Sequence, residues 1–208
     1  MRFCRLIRQG CGFFIGAVLV LLCATRADAA MILLSTAATH GADPALLDAS
    51  IEFEVTGNAL TITVTNTTEE LHPYHINQIL FNASSDVTSV QETSMPTGWS
   101  LATHRNANAF GHFEYMIHGG AGANSQALLP GDSAMFVLTF QGSNVTAEDF
   151  LSEFSDGARP MLVAAKFLNG PGNAGPYGGT DQAPPIPEPG CLALLMGAIA
   201  VAYRRRRT

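Results

Sequence analysis

Between Ser50 and Asn66 the chain reads "SIEFEVTGNALTITVTN". Ile51, Phe53 and Val55 alternate with Glu52, Glu54 and Thr56, and Leu60, Ile62 and Val64 then alternate with threonines. Successive side chains of a strand point to opposite faces, so this period makes one face apolar and the other polar. Gly57-Asn58 suits a two-residue turn between the two runs. The stretch predicts a hairpin with one buried face, and that face demands a second layer.

Similar runs recur as "YHINQILFN", "VTSVQET", "HFEYMIHG", "SAMFVLTFQG" and "MLVAAKFLN", rich in β-branched and aromatic residues and separated by turn signals. They predict an all-β domain over residues 30–169, an antiparallel β-sandwich of jelly-roll or immunoglobulin-like type. One segment breaks the period. In "NVTAEDFLSEFSDG", Thr146 can cap a helix that places Phe150, Leu151 and Phe154 on one face before Gly157 ends it. This predicts one short helix of two to three turns. Residues 170–186, loaded with Gly and Pro, read as an extended linker.

The first 29 residues have a different grammar. Arg2, Arg5 and Arg8 precede an apolar run from about Cys11 to Ala24, and Ala27-Asp28-Ala29 is a small-x-small cleavage site. That order predicts a secretory signal peptide, handled by the Sec translocon and cut by signal peptidase after Ala29. Leu22 before Cys23 argues against a lipoprotein signal. Between Ala30 and Glu188 there are 16 Asp and Glu against Arg105, Arg159 and Lys166, a net charge of −13. Such a domain repels nucleic acid and anionic lipid. All four cysteines (Cys4, Cys11, Cys23 and Cys191) lie in the two ends, so the domain has neither disulfide nor thiol nucleophile.

Few residues suggest chemistry. "GDSAM" at 131–135 follows a Pro-Gly turn and precedes a strand, unlike a nucleophile elbow. His72 and His75 flank Pro73 at a spacing that sends two strand side chains to opposite faces. His112, Glu114 and His118 share a strand face and are suitable zinc ligand types. The two imidazoles would nevertheless stand about 20 Å apart on a straight strand, which favours a solvated polar face. The glycines of "IHGGAGANSQALLPG" lack a following Gly-Lys-Ser/Thr and read as a loop. Asn66, Asn82 and Asn144 open glycosylation-type triplets. Trp99, the only tryptophan, is either a sugar-stacking platform or a core residue under a loop. No cofactor or metal site and no catalytic constellation is expected.

The last residues, 187–208, combine Pro187-Glu188-Pro189, an apolar run from Gly190 to Tyr203, and Arg204, Arg205, Arg206 and Arg207. This ordered trio resembles the PEP-CTERM sorting signal. The resemblance implies recognition of Pro187, Glu188 and Pro189 by an exosortase, an integral membrane transpeptidase-like enzyme of Gram-negative bacteria that make exopolysaccharide. As a helix the 14 apolar-run residues would extend about 21 Å, short for a hydrocarbon core of about 30 Å. The run is therefore expected to form a single transmembrane tail that anchors only transiently in the inner membrane. The four arginines act as the cytoplasmic charge stop. "LLPGDSAMFVLTF", "TAEDFLSEF" and "VAAKFLNGPG" also resemble secreted sandwich domains that precede such tails.

The expected protein is exported, exosortase-processed and non-enzymatic, delivered to the outer surface or extracellular matrix with exopolysaccharide, as in a biofilm. Two other classes stay open. One is a lectin-like or calcium-assisted adhesin using loops around Trp99 and Gly119–Gly122, and the other is a secreted hydrolase with a dispersed site.

Overall fold

The computed structural model describes residues 28–182, other than 35, 73, 121–125 and 169–174. The described strands are β1 Asp28–Leu33, β2 Ala37–Ala38, β3 Ala49–Thr56, β4 Ala59–Asn66, β5 His75–Phe81 and β6 Val87–Ser94, followed by β7 Ser100–Asn106, β8 His112–His118, β9 Ser133–Gly142, β10 Val163–Leu168 and β11 Tyr177–Thr180. Every pairing is antiparallel. One sheet has the order β1-β3-β4-β9-β6 and the other β2-β11-β10-β5-β8-β7.

The hairpin read from Ser50–Asn66 is present, closed by the pair Thr56↔Ala59. Of the two turn residues only Gly57 has positive φ, +62°, which is the type II′ pattern that matches the strand twist. Ile51, Phe53, Val55, Leu60, Ile62 and Val64 are all buried, and Phe136, Leu138 and Phe140 of β9 extend this face. The second sheet contributes Ile76, Ile79, Phe81, Ile117, Val163, Ala165 and Phe167 to the same cluster. The all-β expectation therefore holds, as two antiparallel sheets packed face to face in a sandwich-like fold.

Part of the second sheet is buried on its other face as well. Leu80, Met116, Ala164 and Tyr177 form a separate apolar cluster with Phe110, Phe113 and Met161. Two loops cover it, one around the 3-10 turn Asn108–Phe110 and one running from Ser155 to Met161. They are clipped together: the Ser155 hydroxyl donates to the Phe110 carbonyl and accepts from Met161 N–H at 2.9 Å, while Arg159 N–H donates to Ala109 O at 3.0 Å. Burying these backbone groups is tolerated because each has a partner.

Several sequence expectations change. The predicted two- to three-turn helix is a single 3-10 turn, Ala147–Phe150. Thr146 does open it, its N–H and hydroxyl both donating to Asp149 Oδ2 at 2.8 and 3.0 Å. Leu151 then leaves helical geometry at φ −132°, and Phe154 is 52% exposed rather than packed on the face predicted for it. The chain beyond the turn is drawn into other bonds, with Asn82 Nδ2 donating to Glu153 O at 3.3 Å and Ser155 N–H to Met161 O at 3.0 Å.

The predicted linker is also shorter than its composition suggests. Tyr177–Thr180 is buried throughout and lies between β10 and β2 as β11. Strands β2 and β7 had no clear alternation to announce them. Strand β1 begins at Asp28, so it includes two residues assigned to the signal peptide. The remainder of that segment and the tail at 187–208 lie outside the described residues. Among the described residues no helix is long and apolar enough to cross a membrane.

Candidate functional site

Where the 155–161 loop meets the start of β8, a cleft of about 490 Å³ opens to solvent. Asn82 forms part of its floor. This nearly buried side chain accepts from Glu114 N–H at 2.8 Å through Oδ1 and reaches Glu153 O through Nδ2. Around that floor stand Ser84 and Ser85 from the β5–β6 connection, His104 from β7, His112 and Glu114 from β8, Glu153 and Phe154 from the segment just before the covering loop, and Asp156 within it. His104 has φ +53°, a backbone region that non-glycine residues adopt sparingly.

The best-defined contact in the cleft joins His112 to Asp156. Asp156 Oδ1 accepts the His112 backbone N–H at 2.6 Å and lies 3.1 Å from Nδ1. These two bonds, in that order, hold the Asp156 carboxyl below the usual aspartate range. Asn106 Nδ2 lies 3.3 Å from His112 Nε2. Amide nitrogen can only donate, so Nε2 is the acceptor and Nδ1–H faces the carboxylate. Asp156 thus fixes one tautomer, the orienting role that carboxylates play beside catalytic imidazoles. Both side chains are well exposed, at 62% and 69%. Among the described residues no serine, threonine or tyrosine hydroxyl hydrogen-bonds to His112. The pair orients an imidazole without presenting a nucleophile to it.

His118 belongs to a different environment at the far end of β8. Its Nδ1 accepts from Gly120 N–H at 3.2 Å, so Nε2 carries the proton and donates to Ser100 Oγ at 3.1 Å. Burial, and secondarily Arg105, push its pKa below the ordinary histidine value. His112, Glu114 and His118 therefore do not converge, as the strand spacing indicated. Among the described residues no group of three His, Cys, Asp or Glu side chains could hold a metal ion.

Trp99 is 8% exposed and packs against Phe136, with ring centroids 5.1 Å apart. It is a core residue with no open face for a sugar, which corrects the stacking-platform reading. Among the described residues the exposed aromatic ring is Phe154, 52% exposed, which the sequence places on a helix face with Phe150 and Leu151. Asn66 is fully buried, donating to Tyr74 O and Leu128 O at 2.8 and 2.9 Å. Asn82 is committed to the cleft floor, so of the three glycosylation-type triplets only Asn144 has an exposed asparagine. "GDSAM" is a turn into β9: Gly131 has φ +84° and Ser133 bonds to Thr65 across the sheet at 2.7 Å.

The residues of the sorting motif, Pro187, Glu188 and Pro189, and the arginines 204–207 lie outside the described residues. No protein-family model, curated protein or solved structure matches the chain.

Proposed function

We propose that the chain is an exported surface or extracellular-matrix protein. It is tethered briefly by its tail, processed by an exosortase at Pro187-Glu188-Pro189, and retained with exopolysaccharide. The carrying observation is the order of that triplet, the short apolar run and the four arginines. A run about 21 Å long as a helix makes a poor permanent anchor against a hydrocarbon core of about 30 Å and an adequate temporary one. The acidic, cysteine-free sandwich is consistent with this, since it folds around apolar clusters without disulfides. Replacing Pro187, Glu188 and Pro189 together with alanine is expected to leave uncut protein in the membrane fraction. Release of that variant at the parental rate would refute the sorting reading.

The cleft favours a carbohydrate-binding role as the second reading. Phe154 offers an exposed ring beside Glu114, Glu153 and Asp156, and sugars are held by stacking on aromatic rings with polar groups bonding their hydroxyls. Phe154→Ala is expected to weaken retention on the host polysaccharide without changing stability. Unchanged retention would remove this reading and leave the sorting proposal standing.

A further inference from the structure

Among the described residues the two sheets have four edge strands, and three of them are protected against pairing with another chain. Strand β2 is two residues long. Strand β6 is interrupted twice, between Val87 and Ser89 and between Glu92 and Ser94. Strand β7 carries the positive-φ residue His104 and the charged Arg105. Shortness, bulges and edge charges are the usual devices that prevent edge-to-edge association. Strand β1 is neither short nor interrupted, and its one charge, Asp28 at the first residue, is engaged by the Ala147 N–H. Its register with β3 is unbroken from Asp28 to Leu33, and residues 29–34 contain no charge and no proline.

The direction of its free hydrogen-bonding groups follows from one bond. Leu34 N–H donates to Ala49 O at 2.9 Å. In an antiparallel ladder such bonding alternates, so Ile32 and Ala30 also turn their backbone groups toward β3. Met31 and Leu33 then turn theirs to the open edge. Among the described residues no backbone bond outside the β1–β3 ladder reaches either of them. Their side chains are also unusually open for large apolar groups, at 57% and 58%.

We infer that the free edge of β1 pairs with the β1 edge of a second copy of this chain, antiparallel about a two-fold axis at Ile32. Met31 of each copy then stands opposite Leu33 of the other, and their N–H and C=O groups exchange bonds. Their exposed side chains become cross-strand neighbours on the outer face, while Ile32 meets Ile32 on the core side. The edge is self-complementary in hydrogen bonding and in side-chain chemistry, which a two-fold interface requires. The two five-stranded sheets would become one continuous sheet. Edges this short bury less than the roughly 1,200 Å² of a standard stable interface. Two acidic domains also repel, so the dimer is weak and tightens with salt. High local concentration on a surface or in a matrix would populate it.

The test is sedimentation of the full chain in mild detergent micelles across a concentration series, beside two variants. Met31→Lys/Leu33→Lys places charges on the edge at positions already exposed. Met135→Lys places one on the same outer face but away from the edge, since Met135 pairs with Thr63 inside the sheet and is 59% exposed. The parent is expected to self-associate reversibly, the edge variant to do so at least about tenfold more weakly, and Met135→Lys to match the parent. Circular dichroism confirms that the variants are folded. A parent that stays monomeric at every concentration overturns the inference. So does an edge variant that associates like the parent, or a Met135→Lys variant weakened as much as the edge variant, which would point to stacking of sheet faces.

Discussion

The backbones of Gly111 and Gly157 lie so close that neither residue could carry a side chain. A Cβ on Gly111 would overlap the Gly157 nitrogen, and one on Gly157 would overlap the carbonyl carbon of Phe110. Gly111 also has φ +84°, outside the usual range for other residues. This crossing sets the distance between the start of β8 and the covering loop, and therefore places Asp156 against His112.

Gly111→Ala is accordingly expected to destabilise the fold by about 2–5 kcal/mol, from backbone strain and overpacking together. Asp156→Asn, at an exposed position, is expected to leave the denaturation midpoint nearly unchanged while altering His112. Equilibrium urea unfolding compares the two, and the His112 ring resonances followed by NMR report the contact. A Gly111→Ala protein as stable as the parent would show that the crossing does not determine the loop position.

The fold was most legible where one face of a strand is apolar and the other wet. That holds for Ile51–Val64, where sequence period and burial coincide. It fails at Tyr177–Thr180, because a strand containing two glycines has no period to read. There the side chains come from elsewhere: Phe167 and Leu47 press on Gly178, and Met161 and Phe110 on Gly179. The close approach that recommends glycine in the structure makes the same segment look like a linker in the sequence. The cleft was half legible. His112 and Glu114 could be placed on one strand face, but Asp156 joins them from 44 residues away, and nothing local to "SDGAR" announces that contact. Thr146 correctly marked the start of a helical turn. Its early end goes with Asn82, 71 residues away from Glu153, and with Met161 in the next loop, which bond the backbone that follows the turn.

His118 gives the loop after β8 a pH dependence. It holds Gly120 by accepting at Nδ1, a bond that needs the neutral ring. Asn77 holds the same loop base, accepting from Gly119 N–H at 3.0 Å and donating to Gln126 O at 2.7 Å. Because the folded pKa lies below the ordinary 6.5, the unfolded chain takes up the proton first as pH falls. This stabilisation is complete above about pH 6.5 and is lost on descent through the folded pKa. Amide exchange at Gly120, corrected for its intrinsic pH dependence, is expected to lose protection on acidification. His118→Asn retains an acceptor near Nδ1 and removes the titration, so its protection should stay flat. Equal pH dependence in the variant would assign the effect to another group.

Asp28 connects processing with stability. Its Oδ2 accepts the N–H of Ala147 at 3.1 Å, and Ala147 is fully buried at the start of the 3-10 turn. That turn carries Phe150, whose ring meets Phe81 and Phe140 in the core. A buried N–H that loses its acceptor costs about 1–3 kcal/mol. Asp28→Ala in the full chain is therefore expected to lower stability by about that amount, whereas Asp28→Asn, which keeps an acceptor oxygen, should recover most of it. Cleavage after Ala29 would remove the carboxylate and the first two residues of β1 together. A cut that spares Asp28 would preserve both. N-terminal sequencing of the exported protein, paired with its urea midpoint, distinguishes the two. A product beginning at Ala30 and as stable as one beginning at Asp28 would show that Ala147 finds another acceptor.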